Sequence, residues 1–187
     1  MINACSSFNI SFTGYRSTMV DTVKKAVKEQ KAAIHCAYSG DLFTNSKKHR
    51  PSIEHIKPHT DGGADKDFNF LPVIREINSE RGHIPLPEYV KNHPETIENV
   101  KRTILEVARL KSAKFDGKKW AQEVIQTFSK ESKINLDIDL NQVKSTIYIE
   151  DAVKKPKIKP EKIETEFKTQ FQKQLEEILK KLEPPNQ

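Results

Sequence analysis

The sequence predicts an α+β chain in which a short strand–loop–strand–helix unit is flanked by amphipathic helices. Three observations predict it. First, Ile53 and Ile56 alternate with polar residues over Ser52–Ile56. A loop with Gly62, Gly63 and three aspartates follows, then a second apolar run over Phe68–Val73. Second, apolar residues recur at helical spacing in Ile97, Val100, Ile104, Val107 and Ala108, and again in Trp120, Ala121, Val124 and Phe128. Third, Ile163, Phe167, Phe171, Leu175, Ile178 and Leu182 form one long stripe near the C-terminus. A chain of 187 residues with a single motif-bearing region suits one domain with appendages.

Taken in order, Phe8, Ile10 and Phe12 alternate with polar residues and read either as a short strand or as a loose terminus. Ser17 is a candidate N-cap for a helix that places Val20, Val23, Val27 and Ile34 on one face, with Ala26 and Ala33 beside them. Lys24, Lys25, Lys28 and Lys31 cover much of the remaining surface, as a solvated face or as contacts to a DNA backbone. Residues 1–34 thus form an N-terminal segment and supporting helix.

Residues 35–92 form the central unit. Pro58 ends its first strand, Pro72 suits its second strand to a sheet edge, and a helix over Ile74–Arg81 stops at Gly82. Residues 93–150 support the same domain. Pro85 and Pro87 mark an extended connector, Pro94 precedes the helix that carries Ile97, and Asp116-Gly117 breaks before the helix that carries Trp120. Ile134, Leu136, Ile138 and Leu140 alternate as a strand, with Ile147 and Ile149 as its hairpin partner. Residues 151–187 form a Lys/Pro linker and the last amphipathic helix. The 161–182 stripe can pack on the domain, pair with a second copy or dock on another protein.

Lys and Arg number 32 against 26 Asp and Glu, a formal charge of +6 that suits a polyanionic partner but is spread along the chain. Cys5 and Cys36 are too few and too far apart for a disulfide framework. No basic N-terminal region leads into a long apolar run, so a cytoplasmic protein without a membrane segment is expected. His35-Cys36 lacks a base placed to activate the thiol, and His49, His83 and His93 have no paired spacing. His55 and His59 are four apart, but Pro58 between them rules against a helical metal pair.

The strand–loop–strand–helix order would bring Glu54, His55 and Asn78 to one face. A carboxylate and an amide oxygen are hard ligands suited to Mg²⁺, and a neighbouring imidazole can take a proton from water near neutral pH.

These residues carry a resemblance. Glu54-His55, Gly62-Gly63, Asn69 and Asn78-Ser79-Glu80-Arg81-Gly82 resemble the HNH, or ββα-metal, nucleases, and Cys36-Ala37-Tyr38-Ser39-Gly40 looks like the segment that opens the domain in many members, CRISPR effector nucleases included. The resemblance covers about residues 35–92. It implies a ββα-metal core with flanking amphipathic helices, with His55 as general base, Glu54 and Asn78 as ligands of Mg²⁺ or Mn²⁺, and Asn69 pinning the loop. Arg81 sits where the family often has Lys or Arg and is expected to contact phosphate; from the residues themselves, Lys57 is a further expected contact and His59 either another or a loop residue. The last motif position is Asn, as in a His-Asn-Asn subgroup. The expected function is a metal-dependent endonuclease acting on nucleic acid, most naturally DNA, and nicking one strand per site. The alternative is an inactive nucleic-acid-binding or adaptor module on the same scaffold. Many members also hold zinc with two CxxC pairs; here Cys36, Ser39, Ile74 and Ile77 stand at those places, so no structural zinc is expected.

Overall fold

The computed structural model describes residues 16–150, which lie within the first of two compact units, Met1–Asp151 and Ala152–Gln187. The expected strand over residues 7–13, Cys5, the 151–160 linker and the 161–182 helix lie outside the described residues. Those described form a mixed α+β structure of five α-helices and two small two-stranded sheets.

Helix α1 spans Thr18–Lys28 and is capped by Ser17, whose Oγ accepts the Val20 N–H at 3.1 Å. Met19, Val20, Val23 and Ala26 face the core. The helix stops before the expected face is complete, because Gln30 adopts φ 54° and turns the chain. Ile34 still reaches the core, but from the following extended segment, and Ala33 is exposed.

Strand β1, Pro51–His55, pairs antiparallel with β2, Phe70–Ile74, in the register Glu54↔Leu71 and His55↔Phe70. Helix α2, Arg75–Arg81, follows β2 directly and ends at Gly82 with φ 53°. Phe68 lies in a 3₁₀ turn over Asp67–Asn69 rather than in the second strand.

The connector expected at Pro85 and Pro87 is partly helical. Helix α3, Leu86–Asn92, takes Pro87 into its first turn, where a missing N–H costs nothing. Helix α4, Thr96–Ala108, buries Val100, Ile104, Val107 and Ala108 as its periodicity requires. Helix α5, Gly117–Ser132, buries Trp120, Ala121, Val124 and Phe128. The two helices approach closely at Gly117, where a Cβ would stand 2.3 Å from the Val107 carbonyl oxygen.

The strand expected over Ile134–Leu140 does not form. Leu136 is buried, Ile134, Ile138 and Leu140 are half-buried, and Asn135, Asp137 and Asp139 are exposed, so the alternation is expressed as burial without a paired strand. The short strands β3, Leu110–Lys111, and β4, Ile147–Tyr148, pair parallel instead, and β4 is therefore no hairpin partner of 134–140. Period-two burial needs only an extended chain lying on a core, whereas a strand also needs a neighbour's free backbone edge.

A cap links this fold to pH. The Asp116 carboxylate accepts the Lys119 N–H at 3.1 Å, and that bond holds its pKa below the usual carboxylate range. Because the folded pKa is depressed, its stabilisation is present above the unfolded value and is lost as pH falls below about 4 through the folded value. Asp116→Ala is expected to cost about 1 kcal/mol at pH 7. Its deficit against the parent chain should shrink in thermal denaturation near pH 3.

Candidate functional site

The end of β1 places adjacent side chains in different surroundings, because strand neighbours point to opposite faces. Glu54 points inward and is 4% exposed, whereas His55 is half-buried. Glu54 Oε1 accepts from Arg81 Nη1 on α2 and from the Tyr38 hydroxyl at 3.2 Å. Burial raises the Tyr38 pKa well above the ordinary phenol value, so the hydroxyl stays a proton donor to the carboxylate. Arg81 Nη1 also donates to the His55 carbonyl at 3.0 Å, and the guanidinium lies 5.9 Å over the Tyr38 ring.

The expectation that Arg81 meets phosphate is corrected here: its side chain is 3% exposed and faces the interior. Its Nε and Nη2 are buried with no hydrogen-bond partner among the described residues. The resemblance places a basic residue here, yet one turn after Asn78 on a seven-residue helix packed on β1 it falls on the inner face.

Asn78 sits on the same helix, and its Nδ2 donates to the Ile53 carbonyl at 2.9 Å. Fixing the amide nitrogen on β1 leaves Oδ1 as the acceptor end of that side chain. Glu54 and Asn78 thus both lie at the β1–α2 contact. A carboxylate and an amide oxygen are hard donors of the kind a small dication takes, but this carboxylate is buried and already paired with Arg81.

The loop between the strands is fastened at a buried residue. Asn69 is 1% exposed, accepts the Lys57 N–H at 2.9 Å, and donates to the Lys57 and Ala64 carbonyls at 3.0 Å each. One amide thereby closes the loop from both ends. Gly63 is required by close approach, since a Cβ there would stand 1.9 Å from the Lys57 carbonyl oxygen. At the far end, Asp67 accepts from the Ser17 hydroxyl at 2.7 Å and the Met19 N–H at 3.3 Å, and its carbonyl accepts from Trp120 Nε1 at 3.0 Å.

This loop carries a residue that sequence reasoning missed. Asp65 Oδ1 lies 2.8 Å from His55 Nε2, and Oδ2 lies 3.6 Å from His59 Nε2, so one carboxylate joins the two histidines that Pro58 keeps off a helix. His55 also meets the Phe70 ring edge-on at 4.7 Å. In the sequence Asp61, Asp65 and Asp67 are alike as turn formers, and no spacing rule separates the one that faces His55. Lys57 is half-buried, and its ammonium has no ion pair among the described residues.

The segment ahead of β1 is clamped by α4. Glu106 takes the His35 N–H at 2.8 Å and His35 Nδ1 at 2.7 Å, and Thr103 donates to the His35 carbonyl at 3.0 Å. Asn99 and Arg102 donate to the carbonyls of Tyr38 and Gly40 at 2.7 and 3.1 Å. Cys36 is buried, with Sγ 3.3 Å from the Ile74 N–H that donates to it.

No family model, no curated protein and no solved structure matches this chain. No described helix is long and apolar enough to cross a membrane. Among the described residues no group of three or more His, Cys, Asp or Glu is placed to hold a metal ion.

Removing one partner of a buried ion pair strands the other. Arg81→Met is expected to destabilise the fold by about 3–5 kcal/mol. Arg81→Met combined with Glu54→Leu should recover most of that loss in urea denaturation; equal losses in the single and double variants would mean that the pair contributes nothing as a pair.

Proposed function

We propose that the chain is an endonuclease of the HNH type, a phosphodiester hydrolase acting on DNA through a ββα-metal core. The observation that supports this reading most directly is the β1–loop–β2–α2 order, with Glu54-His55 at the end of β1 and Asn78 bonded back to it from α2. Glu54 and Asn78 would hold one Mg²⁺ or Mn²⁺, which when bound supplies Lewis acidity toward a phosphate oxygen.

The chain's own residues supply the rest. His55 takes a proton from the attacking water, and Asp65, 2.8 Å from Nε2, orients the ring and steadies the imidazolium that forms. Asn69 holds loop 57–69 closed through the Lys57 and Ala64 backbone. Lys57 and His59 contact the phosphate backbone, a contact that gives position rather than sequence preference. One base and one activated water break one phosphodiester per visit, so duplex DNA is nicked.

A second reading, an inactive nucleic-acid-binding module on the same scaffold, is favoured by one observation: the charge of Glu54 is already neutralised by buried Arg81. Plasmid cleavage with added Mg²⁺ separates the two. Supercoiled DNA should pass through open circles before linear product appears, and chelation should stop the reaction. His55→Ala should keep its thermal transition and lose about 10²- to 10⁴-fold in rate. A variant nicking at the parent rate would remove His55 from the mechanism, and a parent chain inert with Mg²⁺ and Mn²⁺ would favour the binding module.

Cys36, with Ile74 and Ile77 against the core, supports apolar packing where many family members hold zinc. Elemental analysis is expected to find no stoichiometric zinc, and the fold should survive a chelator. One tightly held zinc per chain would overturn this.

A further inference from the structure

A groove of about 530 Å³ lies beside the first residue of β1, lined by Lys24, Val27 and Lys28 of α1 on one side and by Thr44, Asn45, Arg50 and Pro51 on the other. Its charge is of one sign: three cations and no carboxylate line it. None of Lys24, Lys28 and Arg50 forms an ion pair among the described residues, whereas the neighbouring Lys25 and Lys31 are both engaged by Glu29. Cations near a helix C-terminus favour the helix dipole, which accounts for Lys28 but not for Arg50 on the opposite wall.

The second wall is preorganised. Thr44 N–H donates to the His49 carbonyl at 2.9 Å, Thr44 Oγ1 donates to Ser46 Oγ at 2.9 Å, and His49 N–H donates to Ser46 Oγ at 3.2 Å. The turn so closed carries Lys47 and Lys48, both exposed and without an ion pair among the described residues. Three unneutralised cations therefore line one concavity with the Asn45 side chain, and the turn on its second wall carries two more. Like charges held this close repel one another, and a bound polyanion relieves that repulsion.

We propose that this groove is a second nucleic-acid contact, binding the phosphate backbone of a DNA strand away from the residues of the candidate cleavage site. The concave form favours a strand laid between two walls over a flat membrane surface, and half-buried Val27 is the groove's only apolar side chain on α1. Pro51 and His55 stand at the two ends of β1, about 13 Å apart at 3.3 Å per residue, which is about four nucleotide steps at 3.4 Å rise. The proposal rests on the nucleic-acid substrate of the proposed function but not on its chemistry.

The test measures binding of the full chain to a fluorescein-labelled 20-base-pair duplex by anisotropy in a chelator, at several salt concentrations, so that no cleavage occurs. K24E/K28E/R50E is compared with K118E/K119E/K130E, a set of equal charge change on the exposed side of α5. The groove variant is expected to bind at least tenfold more weakly and to lose about 2–3 from the slope of log K against log salt. The α5 variant should keep the parent slope. Equal weakening by both sets would assign the effect to overall charge and overturn the proposal, as would parent-like binding by the groove variant. Binding of the parent to phosphatidylserine vesicles but not to DNA would overturn it in favour of a membrane. If the Glu variant fails to fold by circular dichroism, K24Q/K28Q/R50Q carries the test with the same expected direction. Failure of the groove leaves plasmid nicking with Mg²⁺ unaffected, so it is distinguishable from failure of the nuclease reading.

Discussion

The buried pair between Glu54 and Arg81 is the constraint around which the site is arranged. Two charges withdrawn from water cost several kcal/mol each unless their geometry is well made, so their neighbours are not interchangeable. Tyr38 must donate to the carboxylate and lie beneath the guanidinium, and the His55 carbonyl must accept from Nη1. These demands fix α2 against β1 and bring Asn78 within reach of the Ile53 carbonyl. They also fix the segment that carries Tyr38. The pair thus joins several chain segments at one polar point, with apolar packing around Cys36, Ile74 and Ile77 completing the junction.

The elements whose reasons are local were legible in the sequence. Ser17, Gly82 and the stripes through Val100–Val107 and Trp120–Phe128 each state their structure within one or two turns of chain, and the strands around Glu54 and Leu71 state theirs by alternation and by the Gly62-Gly63 loop. Elements whose reasons lie elsewhere in the chain were not. Leu136 alternates correctly with its neighbours, but whether it forms a strand depends on an edge that the fold offers to Ile147 instead. Arg81 reads as a surface cation until Glu54 is known to face it. Asp65 is one loop aspartate among three until β1 places His55 opposite it. Each miss concerns a polar or backbone partner distant in sequence, which periodicity does not encode.

The loop over residues 57–69 illustrates how much can hang on an uncharged group. Asn69 uses both ends of its amide, leaving neither the Lys57 peptide nor the Ala64 carbonyl to solvent. Asp67 ties the same loop to the start of α1 and to Trp120 of α5. The position of His55 and Asp65 relative to each other is consequently set by contacts from three helices and two strands, although both residues stand on or beside a single hairpin.

The polar row on α4 sets the size of the smallest piece that can carry this geometry. Asn99, Arg102, Thr103 and Glu106 recur along one helical face and hold the backbone of residues 35–40, from which Tyr38 reaches Glu54. The hairpin and α2 alone, transplanted to another scaffold, would bring the carboxylate and the guanidinium but leave the phenol between them unplaced. A piece that keeps this phenol in place runs at least from His35 to the end of α4, and the row of four side chains is what holds its first segment; the ties of Asp67 to α1 and α5 add the rest of the frame.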